Sequence, residues 1–391
     1  MSAQHAHGWT PPAMPTPLPG AASDAGLRAR DAWRCLRAAC APFRTGTLFQ
    51  ALPDVRFWRD GARLRAPGTR LPGRGDRSAG AWRTRLQADD SAAVSLRVDE
   101  PLLVDTVLWD AAHALLQAAW GADTVPVLPV QAALTLQGGS DDPPWHWPAG
   151  HARLVAVLDG RLWTAGGEEV GAGDALWLPD GARVWHSDGA FTLVLTIAVD
   201  AATVRAATRS ATQAMLLRLL DREWEDDGQV TMLPYPPASS PRGIRPMPGL
   251  RALARVAGAA PLHATLSDAV AVEAALRASG LGLTPRPMAA PAPLRGMDSV
   301  RLRPSGIVRL RIDGTCWLVA VNGHALVAED TAPWRRLWSM LCHGGAERGR
   351  PAAGSTHRVD ALTGRGRDAA DLREWLDALH AAGGLRVEGA G

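Results

Sequence analysis

Two imidazoles in this chain stand where a metal could be held. His146 lies in "PPWHWPAGH" and His186 in "DGARVWHS". Two histidines and one carboxylate on a single face are the ligand set of a non-haem Fe(II) centre, which leaves coordination positions open for a substrate acid and oxygen. The carboxylate of such a set stands two residues after the first histidine, because strand side chains two apart share a face. That position is Pro148, which offers a metal no side-chain donor. The nearest acidic replacements are Asp141, Asp142, Glu168 and Glu169, and His151 sits at an odd offset from His146. The spacing therefore predicts a pocket whose metal site, His146 and His186, is vestigial, with no residue in a catalytic role.

The elements that would carry these residues are legible as periodicity. Residues 125 to 200 hold short β-type runs separated by turns, the pattern of a compact barrel or a double-sheet jelly roll. Asp159-Gly160 lies between two such runs and predicts a hairpin. Upstream, "GLRARDAWRCLRAAC" and "LLVDTVLWDAAHALLQAAWG" have helical spacing, and "VRFWRDGARL" predicts two strands around Asp60-Gly61. The segment "RLPGRGDRSAG" is expected to be a loop. From Ala201 the period is helical again, interrupted by Pro-rich connectors at 232–249 and 284–296. After Met297 come strands, then a helix with Trp334, Leu337, Trp338 and Leu341 on one face. A last helix around Leu372 to Leu379 and a short strand follow. The expected organisation is a disordered tail over 1–25 and a jelly-roll domain over 26–200. A helical dimerisation or linker region over 201–284 and a winged-helix domain over 297–391 complete it.

Composition narrows the partners. All 42 basic residues are arginine, since the chain has no lysine, and 39 acidic residues are interspersed with them for a net charge of +3. Charge spread in this way makes nucleic acid an unlikely partner. No long uncharged apolar run is present, so no membrane partner is expected. The start lacks the basic and apolar regions of a secretory signal. Four scattered cysteines, Cys35, Cys40, Cys316 and Cys342, indicate a reducing, cytoplasmic setting, with Cys35 and Cys40 as small buried side chains.

The order "VQAALTLQ…H…DGRLW…GDALWLPDG…WHS…LVLTIAV" resembles the JmjC-type cupins related to ribosomal oxygenases. The resemblance covers most of residues 45–390, although only 130–199 carries specific motifs. It implies an α+β fold: a cupin/JmjC double-stranded β-helix (jelly-roll) core, flanking helices, a homodimer and a C-terminal winged helix. It implies Fe(II) and 2-oxoglutarate as cofactors of an active member that hydroxylates peptide or protein side chains. It places Arg161 where a basic residue grips the far carboxylate of 2-oxoglutarate, a bidentate task suited to a guanidinium. Pro148 departs from the family pattern at the carboxylate ligand, so the expected state is a pseudoenzyme with no cofactor.

Sixteen tryptophans against a single tyrosine, Tyr235, suggest a second use of the fold. Trp145, Trp147, Trp163, Trp177 and Trp185 are candidates for an aromatic-lined peptide groove around the barrel, and Trp317, Trp334 and Trp338 for one in the tail. The tail also resembles, in element order and length, the winged-helix modules that bind leader peptides in ribosomally synthesised peptide pathways. Such modules take the peptide as an added strand. The expectation is a peptide-binding protein that presents a precursor to partner biosynthetic enzymes. The alternatives are an Fe(II)/2-oxoglutarate hydroxylase with a replaced ligand and a DNA-binding winged-helix regulator. Asp368, Asp371, Glu374 and Asp377 on the last helix argue against the regulator.

Overall fold

The computed structural model describes residues 12–44, 53–89, 93–120, 125–126, 128–138, 150–186, 191–200, 213, 262–288, 292–303, 305–312, 315–342 and 355–388. In chain order the N-terminal elements are β1 (Thr16–Leu18), α1 (Ala21–Asp24), α2 (Ala29–Arg44), β2 (Val55–Arg59) and β3 (Ala62–Leu64). Next come α3 (Ala79–Asp89), β4 (Val94–Asp99), α4 (Thr106–Trp120), β5 (Gln131–Gly138) and β6 (His151–Asp159). The chain continues through β7 (Arg161–Thr164), β8 (Glu169–Gly171), β9 (Ala175–Leu178), β10 (Val184–His186) and β11 (Phe191–Asp200). The C-terminal part holds α5 (Leu262–Gly280), β12 (Ser299–Leu302), β13 (Ile307–Ile312), β14 (Cys316–Val321) and β15 (His324–Glu329). It closes with α6 (Ala332–Leu341), β16 (His357–Arg358), α7 (Val359–Thr363), α8 (Ala369–Ala381) and β17 (Leu385–Glu388).

This is a mixed α+β architecture built on a large antiparallel sheet of eight strands, ordered β1-β9-β6-β11-β5-β4-β2-β3. The central strands β6 and β11 are nearly continuous apolar runs, as expected for strands covered on both faces. On one face Leu134, Leu136, Leu154, Leu193, Leu195 and Ile197 pack against the buried sides of α2 and α4. Trp82 seals that core beside Phe191, their rings stacked 5.7 Å apart. On the other face, Val155, Val157, Leu176, Leu178 and Val194 meet Leu162 and Val170 of a three-stranded sheet, β10-β7-β8. The two sheets thus form a sandwich over part of their area.

Two expectations change here. Residues 12–25 are not a disordered tail: β1 pairs with β9 as an edge strand, and Ser23 donates its N–H to the Gly173 carbonyl at 2.9 Å. Asp159-Gly160 is not a hairpin turn either. β6 pairs with β11 and β9, while β7 pairs with β10 and β8, so the chain switches sheets at this point. Gly160 has φ +80°, and a Cβ there would stand 2.6 Å from the Phe191 carbonyl oxygen. The glycine permits both the left-handed corner and the close passage of β11. Two further elements, α3 and β16, are weakly amphipathic or short and were not expected.

The C-terminal part stacks α5 on one face of the β13-β14-β15 sheet, through Val272 and Ala275 against Leu318 and Ala320. The other face carries α6 and α8 through Trp334, Leu337, Trp338, Leu376 and Leu379. A small sheet, β16-β12-β17, closes the end. The two halves are joined by a fork from Arg286 to Asp110, at 2.7 and 3.1 Å, and by the Trp109 indole N–H on the Thr284 carbonyl at 2.8 Å. Cys35 and Cys40 are free and fully buried, as expected. Burial pushes the Cys35 thiol up to about 12, so it stays protonated and inert. Among the described residues no helix is long and apolar enough to cross a membrane.

Glu100 carries a pH dependence. It has φ 55°, and burial pushes its carboxyl up to about 7, against an ordinary value of 4.5. The unfolded chain ionises this group freely above its ordinary value, whereas the folded chain resists until near 7. Stability contributed by the protonated form is therefore lost as pH rises from about 4.5 to about 7, and the loss levels off above that. Glu100→Gln is expected to flatten this decline, recovering on the order of 2 kcal/mol at neutral pH. Thermal unfolding of both proteins across the window is the check, and parallel curves would refute it.

Candidate functional site

The inner surface of the sandwich is where the predicted barrel residues would meet. His186 lies on β10, in register with Leu162 of β7. Leu162 is buried on the inner side of the small sheet with its own partner Val170. Trp145, His146, Trp147 and Pro148 lie outside the described residues, so the partner of His186 in the expected pair does as well.

Arg161 is placed differently from its expected role. It is adjacent to Leu162 on β7, so it occupies the outer side of the small sheet. Its guanidinium is 62% exposed and pairs with Glu169 at 3.0 Å. The cation on the inner side is Arg153 of β6, in register with Ala198 and on the same side as Val155 and Val157. Arg153 donates to the Ala182 carbonyl and makes no ion pair among the described residues. Its Nε–H is buried without an acceptor among them. Burial lowers its pKa from the ordinary guanidinium value. Sequence reasoning passed over Arg153 because its parity relative to β7 depends on the sheet switch at Gly160.

The same inner face continues across β11, β5 and β4 as a buried polar strip. Ser95, Arg97, Thr135, Gln137, Thr192 and Thr196 are each at most 9% exposed. Arg97 is tied to Asp99 at 2.6 Å, and Asp99 also receives Arg56 at 3.3 Å. At the far end of the strip His151 pairs with Asp200 at 2.6 Å. A buried run of hydroxyl, amide and guanidinium groups is costly unless satisfied, and the Thr192 hydroxyl donates to the Arg161 carbonyl at 3.2 Å. Of the set assigned by resemblance, the carboxylate grip, Arg161, lies on the outer face of the small sheet. Among the described residues, no group of three His, Cys, Asp or Glu side chains is placed to hold a metal.

The tryptophans also divide by burial. Trp177 is 3% exposed on the helix side of the large sheet, its indole N–H on the Pro12 carbonyl at 3.0 Å. Trp334 and Trp338 are 3% and 4% exposed and stack at 5.7 Å inside the C-terminal core. These three are core side chains and line no groove, because each lies on the apolar face of its element. Trp163 and Trp185 are register partners in the small sheet. Trp317 stacks on Trp334 at 6.1 Å, donates to Asp330 at 2.9 Å and lies under Arg309 at 4.3 Å. Trp375, which the period of the last helix places inward, completes the cluster edge-on to Trp334 and Trp338.

The open feature of the C-terminal half is the strand β15. It pairs with β14 alone among the described residues, and α8 packs beside it. Asn322 and Gly323 have φ 49° and 87° and form a two-residue turn closed by the pair Val321 and His324. In such a hairpin the closing pair exchanges both hydrogen bonds, and every second pair does so after it. Ala325 and Val327 fall between bonded pairs, so their N–H and C=O groups point away from β14. Both residues are exposed, Val327 at 56%. Neither offers its backbone to any group among the described residues.

No family model and no curated protein matches this chain. Among solved structures, it is similar to YcfD, a ribosomal oxygenase from Escherichia coli, at 16% identity over 96% of this chain and 94% of that one, with a TM-score of 0.42. A structure of the same oxygenase in complex with cobalt and 2-oxoglutarate aligns at 17% identity over 76% of this chain and 79% of that one, with a TM-score of 0.35. A putative ethanolamine utilization protein from Salmonella typhimurium aligns at 22% identity over 19% of this chain and 60% of that one, with a TM-score of 0.16.

Proposed function

We propose that this protein binds a peptide as an added strand along β15 and holds it for partner enzymes, while its barrel performs no turnover. The observation that carries the proposal is the outward backbone of Ala325 and Val327, exposed and without a partner among the described residues. An unpaired edge templates strand addition, and natural proteins usually blunt such edges. Here the edge carries an exposed valine, and α8 offers a wall beside it. Three antiparallel strands followed by helices α6, α7 and α8 suit the winged-helix, leader-binding reading of the tail. A ribosomally made precursor peptide is the occupant proposed. The exposed Asp371 and Glu374 on α8 disfavour DNA as the ligand of this half.

The silent barrel follows from Pro148, which supplies no oxygen where the resemblance needs one. The test is selection from a displayed library of random linear peptides on the full-length protein. Enriched sequences with apolar residues at alternate positions are expected, because an added strand shows every second side chain to α8. Recovery of no sequence above background would overturn the proposal.

A second reading has one observation in its favour. The guanidinium of Arg153 on the inner face, its Nε–H buried without an acceptor among the described residues, suits a carboxylate, and an Fe(II)/2-oxoglutarate hydroxylase with a replaced ligand would use one there. Anaerobic Fe(II) titration with 2-oxoglutarate separates the two readings: a charge-transfer band at micromolar metal supports the hydroxylase, and a flat spectrum supports the silent barrel.

A further inference from the structure

The solvent face of α2 carries Arg30, Arg34, Arg37 and Arg44 at helical spacing, a stripe about 21 Å long. Opposite it runs the loop around Gly73 to Arg77. Two clefts lie between them, of about 310 and 410 Å³. Together they are lined by seven arginines and by only two carboxylates, Asp31 and Asp76.

These guanidinium groups are not equivalent. Arg34 is neutralised by Asp31 at 2.9 Å and Asp105 at 3.0 Å, and Arg85 forks onto Asp76 at 2.9 Å. Arg37 donates instead to the carbonyls of Arg74 and Asp76, and Arg44 to those of Thr69 and Leu71. A carbonyl orients a guanidinium without cancelling its charge, so Arg37 is held in place with its charge intact, while Arg44 shares the Asp76 carboxylate with Arg85. Arg74 and Arg77 are exposed and make no ion pair among the described residues. Arg30 is 74% exposed, and its nearest carboxylate oxygen is 3.8 Å away. The Nε–H of Arg37 is buried without an acceptor among the described residues.

We infer that this arginine-lined groove binds the phosphodiester backbone of a nucleic acid, without reading its sequence. A row of oriented, uncompensated guanidinium groups matches a row of phosphates, each of which accepts a forked pair of hydrogen bonds. An acidic peptide is the competing occupant. Peptide grooves draw their affinity from apolar anchor pockets, and the large apolar side chain in these linings, Trp33, is 5% exposed. Among the described lining residues no aromatic face is open for base stacking, which leaves the backbone as the recognised part. Gly73 and Gly75 sit in the groove wall, and a Cβ at Gly75 would meet nothing within 4 Å, so a bulky backbone has room to approach. The even spread of charge along the chain concealed this surface, because α2 and the loop bring distant arginines together.

The test uses the full-length protein and a fluorescein-labelled oligouridylate, followed by anisotropy across a salt series. Binding should weaken with salt by a log–log slope of about −0.7 per phosphate engaged. Arg30→Ala/Arg74→Ala/Arg77→Ala is expected to weaken binding at least tenfold at low salt and to reduce the slope by about 2, three contacts being lost. A control that removes the same charge elsewhere, Arg365→Ala/Arg367→Ala/Arg386→Ala, is expected to bind as the wild type does. All six positions are exposed, so both variants should unfold at the wild-type temperature. The inference is overturned if the wild type shows no salt-dependent binding. Equal losses in the two triple variants would also overturn it, as would displacement of the oligonucleotide by polyglutamate at equal charge, which would make an acidic peptide the occupant.

Discussion

Val327→Pro is expected to cut peptide binding by roughly ten- to a hundredfold while leaving the fold intact. Proline deletes the backbone N–H that points to the open side of β15 and so leaves a carbonyl of the added strand without its donor. An unmade buried hydrogen bond of this kind costs about 1–3 kcal/mol, which corresponds to that range of affinity. The substitution spares the sheet because Val327 sits opposite Leu318 in a pair that shares no hydrogen bonds with β14. Proline is tolerated on edge strands when its missing donor faces outward. Val327→Thr keeps the N–H and the β-branched shape, and should bind within a factor of a few of the wild type. The measurement is anisotropy with a selected peptide, alongside thermal unfolding. If the proline variant binds as tightly as the wild type and unfolds at the same temperature, the peptide lies somewhere other than β15.

Pro148→Asp is expected to raise Fe(II) affinity by at least about a hundredfold. The reasoning is that, in the ligand set the resemblance implies, His146 and His186 are kept and only the carboxylate position is lost, to Pro148. Even the outer partners of a metal ligand contribute roughly 10–100-fold to affinity, so a restored inner carboxylate should exceed that range. Anaerobic Fe(II) titration by calorimetry reads the change, and His186→Ala in the same background should abolish the gain. A wild type that already binds Fe(II) as tightly as the variant would show that another protein oxygen completes the site, and the silent-barrel proposal would fail. Adding 2-oxoglutarate to the loaded variant then reports on Arg153. A charge-transfer band that is lost on Arg153→Ala would assign the carboxylate grip to β6 and not to Arg161.

Local pattern carried much of this molecule. The helices at 106–120, 332–341 and 369–381 and the strand pair around Asp60-Gly61 lie where the period of apolar residues put them. A period of 3.6 or 2 is a property of a few neighbouring residues and needs no knowledge of the rest of the chain. The burial of Cys35 and Cys40 followed from the same apolar stripe of α2. The missing donor at Pro148 is likewise a statement about residue type alone.

Other features depended on which strands meet. Parity along β7 was readable, but whether Arg161 or Leu162 faced the interior was decided by the sheet switch at Gly160. A tight turn and a corner between sheets both need a glycine with positive φ, so Asp159-Gly160 looked the same for either. The tryptophans were countable in the sequence. Their division into core and surface required the partner elements, since an indole suits both. The arginine groove was hidden for the same reason: Arg30 and Arg77 are far apart along the chain and line one cleft only because α2 lies against the loop before α3. Sequence by itself determined the elements and the residue chemistry, through short-range periodicity and atom types. Tertiary structure alone decided which face each residue shows and which distant charges meet, because strand pairing and helix docking are long-range choices that no local window contains.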